Sequence, residues 1–331
     1  MSKKLIAAAL LATALTPVAV MAQDEPVRLA FLAASSQNGY NDATWQGVQA
    51  AAAEAGNVEV EIFDGEFNAT VQYSQVEDII AGGNFDGIII APNDTVGIAS
   101  ALEEATGAGL MVASVLFPVG PDLTNMEPQV AGLTTTVASN PVDGATAQAN
   151  AVVDYCADKD PCKVVIMIGQ LQYPFDNLRY ETFQSVLGGH ANIQVVATGE
   201  GNYNPDQSLT AMTDILQANP EIDAVLSNAD QHLLGVEIAL EDAGIDPASI
   251  YLIGGGLNQI TVDKIKEGVF DATLSGYPRT EGYQAAMALI HAARGETPPT
   301  WIDPAATATN PPIVTKEWLD ANPDFVAEWQ G

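Results

Sequence analysis

Basic residues are scarce in this sequence. Only 11 of its 331 residues are Lys or Arg, against 42 Asp or Glu, and the formal net charge is −31. A field of this sign repels nucleic acid, and no cluster of basic residues suited to phosphate contacts is visible. The acidic residues are spread along the chain rather than gathered in a tail, which is typical of a charged, soluble surface. The sequence therefore predicts no nucleic-acid partner.

Motifs of enzymes are also missing. There is no ordered set of Ser, His and Asp, no metal-ligand spacing and no glycine-rich phosphate loop. The three glycines at 254–256 follow an apolar run but lack the dinucleotide-binding pattern. The sequence therefore predicts a protein without catalytic residues, without a metal and without a cofactor.

The apolar run near the start of the chain is too short to span a bilayer. It covers residues 5–15, follows Lys3 and Lys4, and precedes Ala22 at a small-residue cleavage position. This pattern predicts a signal peptide over residues 1–22, cleavage after Ala22 and export to the periplasm. A membrane anchor is the alternative, but no stop-transfer pattern follows, and no cysteine stands after the cleavage position as in a lipoprotein.

Cysteine is limited to Cys156 and Cys162. They bracket a turn-rich stretch between a predicted helix and a predicted strand. In an exported chain, two close cysteines indicate a disulfide. Metal binding is the weaker alternative, because no histidine lies nearby and four ligands are usual.

Strand-like and helix-like patterns alternate through the rest of the chain, which predicts βαβ units and parallel sheets. The chain of about 309 residues left after cleavage is long enough for roughly two domains. The predicted strands cover residues 27–33, 58–63, 85–90, 110–115, 129–133, 163–168, 193–197, 224–226, 251–253 and 270–275. The predicted helices begin near 42 and 175 or cover 71–81, 98–105, 140–155, 205–218, 231–243, 259–267 and 280–293.

A polar loop at 34–42 follows the first of these strands. In open α/β sheets, small ligands bind at the carboxyl ends of the strands. We therefore expect this loop to form one half of a clamp for a small polar molecule.

Several further motifs stand in the order and spacing of a known family. Residues 89–94 resemble an Asn-Pro-x-Asp turn, and they are followed by 226–230, 252–256 and 276–278. With these motifs the chain resembles the periplasmic sugar-binding proteins of the ribose/galactose type, which serve ABC transporters. The same fold forms the sensing core of lactose-repressor-like regulators, but an exported chain without a DNA-binding head fits the binding protein.

The resemblance implies a type I periplasmic binding fold. Two Rossmann-like α/β lobes with parallel sheets flanked by helices would be joined by a three-crossover hinge. Lobe one would hold residues 23–115 and 277–303, and lobe two residues 116–276 and 304–331. The ligand would lie between the lobes and favour their closure, because only the closed form contacts it on both sides.

The resemblance also implies a set of ligand-binding residues. Asn38, Tyr40 and Asn41 align with the first ligand loop, where Tyr40 would cover a ring face with its hydroxyl free to hydrogen-bond. Asp94 would accept hydroxyl hydrogen bonds or would cap the next helix. Asp230 has the same two alternatives, ligand contact or a helix cap. For Arg179 and His232 the alternatives are ligand contact and a structural role. The remaining residues of the implied site are Asn93, Phe117, Tyr173, Asp176, Asn177, Asn228, Asn258 and Tyr277.

Departures from the family pattern bear on the ligand. The family often has Arg at the position of Asn177, and Asp176-Asn177 instead resembles the Asp-Gln pair of autoinducer-2 receptors. Leu116-Phe117 and Gly276-Tyr277 stand where sugar binders often have Asp and Gln. These departures predict a less charged, more aromatic pocket and a neutral ligand such as a sugar or polyol. The implied partner is the membrane permease of an ABC importer, with the protein acting as a monomer. The alternative is a periplasmic sensor subunit for a small signal such as autoinducer-2.

Overall fold

The computed structural model describes residues 25–331. The predicted signal peptide lies outside the described residues. In the described part, two six-stranded sheets with flanking helices form two α/β lobes. The strands are β1 Val27–Ala33, β2 Val58–Asp64, β3 Gly87–Ile90, β4 Met111–Val115, β5 Thr135–Val137, β6 Cys162–Ile168, β7 Ile193–Glu200, β8 Ala224–Ser227, β9 Tyr251–Gly255, β10 Ala272–Leu274, β11 Trp301–Ile302 and β12 Ile313–Thr315. The helices are α1 Gly39–Ala55, α2 Ala69–Gly82, α3 Ala99–Gly107, α4 Pro141–Tyr155, α5 Pro174–Gly188, α6 Pro205–Ala218, α7 Asp230–Asp242, α8 Gln259–Glu267, α9 Pro278–Ala293 and α10 Lys316–Ala321.

The strand order follows the same scheme in both sheets. The first sheet runs β11-β5-β4-β3-β1-β2 and is parallel throughout. The second runs β12-β10-β9-β8-β6-β7 and is parallel except for the antiparallel edge strand β12. Central strands are apolar on both faces, as in sheets covered by helices on both sides. All four residues of β3 are buried, for example.

Asparagine is the N-cap residue of several helices. Asn38, Asn68, Asn140, Asn204 and Asn258 each accept a hydrogen bond from a backbone N–H in the first turn of α1, α2, α4, α6 and α8. Asparagine is among the preferred residues for this task. Because Asn38 is the cap, α1 begins at Gly39 rather than near Asp42 as predicted.

The chain passes between the sheets at three places. The first crossover follows β5, because Thr135–Val137 pairs with β4 in the first sheet and α4 packs in the second lobe. The crossover expected at Val115–Leu116 was therefore placed too early, and the strand expected at 129–133 lies at Thr135–Val137 instead. The other two crossovers lie between β10 and α9 and between β11 and β12.

The predicted disulfide is present. Cys156 at the end of α4 and Cys162 at the start of β6 are bonded, with their Cα atoms 5.7 Å apart. Both side chains are buried in the core of the second lobe. Among residues 25–331, no helix is both long and apolar enough to cross a bilayer.

Candidate functional site

A cavity of about 150 Å³ lies between the lobes, at the carboxyl ends of the parallel strands. Both lobes and the crossover segments contribute to its wall, as the doubly wound topology requires. Its lining residues are Ala34, Asn38, Tyr40, Asn41, Phe67, Pro92, Asn93, Leu116, Phe117, Gln170, Tyr173, Phe175, Asp176, Arg179, Tyr203, Asn228, Ala229, Gln231, Gly255, Gly256, Leu274, Ser275 and Gly276.

The loop between β1 and α1 is held by its own amide side chains. Asn38 Oδ1 accepts from the backbone N–H of Tyr40 at 3.0 Å and from Asn41 Nδ2 at 3.2 Å. Asn41 Oδ1 in turn accepts from the N–H of Ala34 at 3.0 Å. No acceptor within residues 25–331 takes the amide hydrogens of Asn38. The loop is thus fixed by hydrogen bonds within it and still offers a free donor at the cavity.

Tyr40 lines the cavity with its ring, not with its hydroxyl. The hydroxyl donates to Glu281 Oε1 at 2.9 Å, so the prediction of a free hydroxyl is wrong. The ring lies edge-to-face against Trp329, with the centroids 5.4 Å apart. Burial, together with the nearby Glu281 carboxyl, raises the pKa of Tyr40 well above its usual value. Tyr40 is therefore a neutral aromatic wall of the site.

Asn93 is held at the end of β3. Its backbone N–H donates to Gln72 Oε1 at 2.8 Å, and its Nδ2 donates to the carbonyl of Ala34 at 3.2 Å. Within the described chain its Oδ1 has no partner. This oxygen is an acceptor that a ligand hydroxyl can use.

The charged groups of the second lobe neutralise one another. Asp176 Oδ1 pairs with Arg179 and accepts from the Tyr203 hydroxyl at 2.5 Å, and Asp176 Oδ2 accepts from the N–H of Gln170 at 2.6 Å. Arg179 also donates to the Tyr203 oxygen at 2.6 Å. Burial opposes the Arg179 charge, but Tyr203 and Asp176 outweigh it, and the pKa of Arg179 is raised. The cluster presents no uncompensated charge to the cavity.

His232 supports this cluster from behind. It is fully buried, and its Nε2 accepts from the backbone N–H of Tyr203 at 2.9 Å. Its Nδ1 lies 3.0 Å from Ser227 Oγ, whose own hydrogen goes to the carbonyl of Ala229. These partners fit a neutral ring with the proton on Nδ1. Burial and the Arg179 charge lower the pKa of His232 to about 3, which agrees with that tautomer. His232 is a structural residue outside the cavity lining.

Aromatic rings close the cavity from both sides. Phe67 of lobe one stacks on Tyr203 of lobe two, with centroids 5.8 Å apart and ring planes 19° apart. The Tyr173 hydroxyl donates to the carbonyl of Phe67 at 3.1 Å. Phe117 contacts Phe175, which also lies 4.4 Å under the Arg179 guanidinium. The lobes therefore touch each other directly.

The structure brings most of the predicted residues together. Eight of them line the cavity, namely Asn38, Tyr40, Asn41, Asn93, Phe117, Tyr173, Asp176 and Asn228. Five others lie elsewhere: Asp94, Asn177, Asp230, Asn258 and Tyr277.

Two of these five, Asp94 and Asp230, accept hydrogen bonds within their own lobes. Asp94 Oδ1 accepts from the N–H of Val96 at 3.0 Å and of Gly97 at 2.8 Å, so it caps the turn before α3. Asp230 accepts from Thr273 Oγ1 at 2.7 Å and from the N–H of Asn258 at 3.0 Å inside lobe two. Burial raises the pKa of Asp230 to about 6.

The other three predicted residues also lie outside the cavity lining. Asn258 is the N-cap of α8, with its Oδ1 2.7 Å from the N–H of Thr261. Asn177 points to the outer groove beside 121–124 rather than into the cavity. Tyr277 lies behind the hinge, where its hydroxyl accepts from Asn310 Nδ2 at 3.2 Å.

The sequence reasoning missed Phe67, Gln170, Tyr203, Gln231 and Ser275. The first four follow β2, β6, β7 and β8, so the rule that carboxyl ends of strands form the site would have found them. Gln231 has a side-chain amide without a partner among residues 25–331. Within those residues no cluster of His, Cys, Asp and Glu has the arrangement of a metal site.

Comparison with known proteins places this two-lobed cleft in a family. The family model described as periplasmic binding protein domain matches residues 29–297. The chain belongs to this periplasmic binding protein family. It is 27% identical over 243 residues to the ribose import binding protein RbsB of Bacillus subtilis, covering 73% of this chain and 74% of that protein.

A second relative and a solved structure extend the comparison. A putative rhizopine-binding protein of Rhizobium meliloti is 28% identical over 242 residues, or 72% of this chain and 75% of that protein. A solved galactofuranose-binding protein shares the fold, with a TM-score of 0.78 at 19% identity, covering 90% of this chain and 98% of that one. The family is one of ligand-binding transport proteins.

Proposed function

We propose that this protein captures a small, neutral polyhydroxy molecule between its two lobes and delivers it to the permease of an ABC importer. The proposal rests on the polar groups that line the cavity. Its charged groups, Asp176 and Arg179, are paired with each other, whereas Asn38 Nδ2, Asn93 Oδ1 and the side-chain amide of Gln231 have no partner in the described chain.

Amides suit hydroxyl groups because each can donate and accept. A buried carboxylate or phosphate on the ligand would require a compensating cation. Arg179 is already engaged by Asp176 and Tyr203, so an anionic ligand has no free partner. The ligands named for the relatives above, a ribose, a rhizopine and a galactofuranose, support a sugar or a related polyol.

We also propose revised lobe boundaries. Lobe one would hold residues 25–137 and 278–302, and lobe two residues 141–274 and 313–331, with the short segments between them as the hinge. Export with cleavage after Ala22, action as a monomer and the absence of enzymatic activity belong to the same proposal.

A thermal-shift panel tests the proposed ligand class. The panel contains D-ribose, D-galactose, D-allose, myo-inositol, glycerol, autoinducer-2, a dicarboxylate and a sugar phosphate. A ligand that binds only the folded state raises the melting temperature, and we expect this from a neutral sugar or polyol. Stabilisation by the dicarboxylate or the sugar phosphate alone would contradict the proposal. Stabilisation by autoinducer-2 alone would favour the sensor function instead, although Asn177 does not join Asp176 in the cavity.

A pair of glutamine variants then ties the binding to the cavity. Gln231→Ala removes an unpaired cavity amide, and Gln217→Ala removes an exposed amide on α6. We expect calorimetry to show weaker binding for Gln231→Ala by roughly tenfold, the value of one or two hydrogen bonds. Gln217→Ala should bind like the wild type. Equal affinity of all three proteins would place the ligand elsewhere.

A further inference from the structure

Segment 325–331, called the strap here, joins both lobes beside the cavity. Its backbone pairs with the start of α8 in lobe two, where the N–H of Gln259 donates to the carbonyl of Trp329 at 2.9 Å and that of Ile260 to Gln330 at 3.1 Å. Gln259 Oε1 accepts from the N–H of Ala327 at 3.0 Å. The strap is thus fixed to lobe two by its own main chain.

The strap also reaches lobe one. Glu328 Oε1 and Oε2 accept from the hydroxyl and the N–H of Thr280, in the first turn of α9, at 2.5 and 3.1 Å. Gly331 lies against Gly39 so closely that a Cβ on Gly39 would stand 2.2 Å from the Gly331 carbonyl oxygen. The strap therefore contacts lobe two through Ala327, Trp329 and Gln330, and lobe one through Glu328 and Gly331.

Trp329 is the buried centre of the strap, with 5% of its surface exposed. Its Nε1 donates to the carbonyl of Gly256 at 2.7 Å. Its ring packs edge-to-face with the Tyr40 ring, with the centroids 5.4 Å apart. Tyr40 and Gly256 both line the cavity, the first from lobe one and the second from lobe two. A single side chain outside the cavity thus contacts both of its walls.

We propose that Trp329 is a positioning residue of the ligand site, which fixes the Tyr40 ring and the Gly256 loop relative to each other. Tyr40 also donates its hydroxyl to Glu281, so its side chain is held by Glu281 and contacted by Trp329. Gly256 has φ +121°, where a side chain is strained, and a Cβ there would stand 3.0 Å from the Trp329 ring. The strap thereby sets the width of the cavity at the hinge end. The effect on affinity rests on the function proposed above, whereas the effect on Tyr40 does not.

The first experiment observes Tyr40 without any ligand. The protein is made with 3-fluorotyrosine, and the Tyr40 fluorine signal is assigned by its loss in Tyr40→Phe. We expect Trp329→Ala to move this signal and Trp329→Phe, which keeps an aromatic edge, to move it less. Trp318→Ala is the matched control, because Trp318 packs on Phe325 in the same part of the chain and does not line the cavity. An unmoved Tyr40 signal in both Trp329 variants would overturn the proposal.

The second experiment measures affinity for D-ribose and for myo-inositol by calorimetry. An edge-to-face aromatic contact and a buried hydrogen bond together correspond to roughly a tenfold change in dissociation constant. We expect Trp329→Ala to weaken binding by about this factor, while Trp318→Ala lowers the melting temperature and leaves affinity unchanged. A Trp329 variant with lower stability and unaltered affinity would make Trp329 merely structural. If neither compound binds the wild type, the neutral compound that raised the melting temperature in the panel replaces them. If no neutral compound did so, the proposed function loses its support, and the fluorine signal alone decides the role of Trp329. If Trp329→Ala does not fold, Trp329→Phe carries both measurements.

Discussion

At the scale of single residues, a carboxylate that follows a strand can bind a ligand or cap a turn, and a small change in its position decides which. Asp94 follows a central strand, and the sequence allows both roles. The structure uses it to cap the turn before α3 through Val96 and Gly97. Sequence cannot separate the two roles, because both need a short carboxylate at the same place.

Asp94→Ala should therefore lower stability and leave affinity unchanged. Loss of a cap of this kind costs about 1 kcal/mol in the free energy of unfolding. Urea unfolding and calorimetry with the ligand found in the panel measure the two quantities. A weaker ligand affinity at normal stability would return Asp94 to the binding site.

Asp176→Asn removes the charge that compensates Arg179. The Asp176 side chain is 5% exposed and that of Arg179 14%, so the arginine would be left buried beside a neutral amide. Breaking a buried pair in this way costs about 3 kcal/mol or more, and the disturbed Tyr203 should also weaken binding. Asn177→Ala, one residue further on the same helix but outside the cavity, is the control. Similar unfolding midpoints for wild type and Asp176→Asn would show that the pair contributes no net stability.

The buried carboxyl of Glu281 should make the stability of the protein depend on pH. Burial raises its pKa from the usual 4.5 to about 8, despite the hydrogen bond from Tyr40, and Glu328 adds to the rise. Between these two values the folded state holds a proton that the unfolded state has lost. The free energy of unfolding should therefore fall as pH rises from about 5 to about 8, by at most about 1.4 kcal/mol per unit from this group.

Unfolding at several pH values measures this slope. Glu281→Gln cannot titrate, so its stability should decline less over the same range than that of the wild type. Equal slopes for the two proteins would mean that Glu281 is already ionised in the folded state at low pH.

At the scale of elements, a loop in each lobe carries an aromatic residue with a positive φ angle. Phe67 follows β2 with φ 50°, and Tyr203 follows β7 with φ 55°. Aromatic residues rarely adopt this left-handed region, and such outliers often mark functional positions. Here both loops turn a ring into the cleft, where the rings stack on each other.

The stack should slow the release of ligand. It exists only when the lobes are together, so Phe67→Ala should raise the dissociation rate by up to about tenfold, the upper value for an aromatic pair. Stopped-flow release of bound ligand measures this rate. Phe85→Ala is the control, because Phe85 pairs with Phe63 at the same 5.8 Å within lobe one. That variant should lose stability and keep the wild-type rate; a rate equally raised in both would point to general destabilisation.

The strands and helices with strong patterns were predictable from sequence. The buried parallel strands β1, β3 and β6 are apolar runs whose ends lie within two residues of the predicted ones. The strands that were missed or misplaced, β5, β11 and β12, have only two or three residues. So few residues carry no periodicity, and their pairing is decided by distant parts of the chain. The roles of Trp329 and Tyr203 in the site depend on the same long-range contacts.

At the scale of the whole molecule, closure is built from direct contacts between the lobes. Tyr173 of lobe two donates to the Phe67 carbonyl of lobe one, and Phe67 stacks on Tyr203. Trp329 adds a contact on the hinge side of the cavity. A ligand favours the closed arrangement by its differential contacts with the two states, so these interlobe contacts and the ligand act in the same direction.

The net charge of −31 opposes the compact, closed arrangement as a whole, because like charges repel across a compact molecule. Salt screens this repulsion: the Debye length falls from about 10 Å at 0.1 M to about 3 Å at 1 M. We therefore expect the melting temperature to rise between these salt concentrations, by similar amounts in sodium chloride and potassium chloride. A rise with only one of the two salts would indicate binding of that cation instead of screening.

A double variant tests whether repulsion among surface carboxylates is the cause. Glu103 and Glu104 are exposed neighbours on α3, and exchanging both for Gln removes two negative charges without touching the core. The variant should melt higher than the wild type at low salt, and the difference should shrink at high salt, since screening then does what the substitution did. A difference that is independent of salt would assign the gain to helix propensity, and a lower melting temperature at low salt would contradict the repulsion argument.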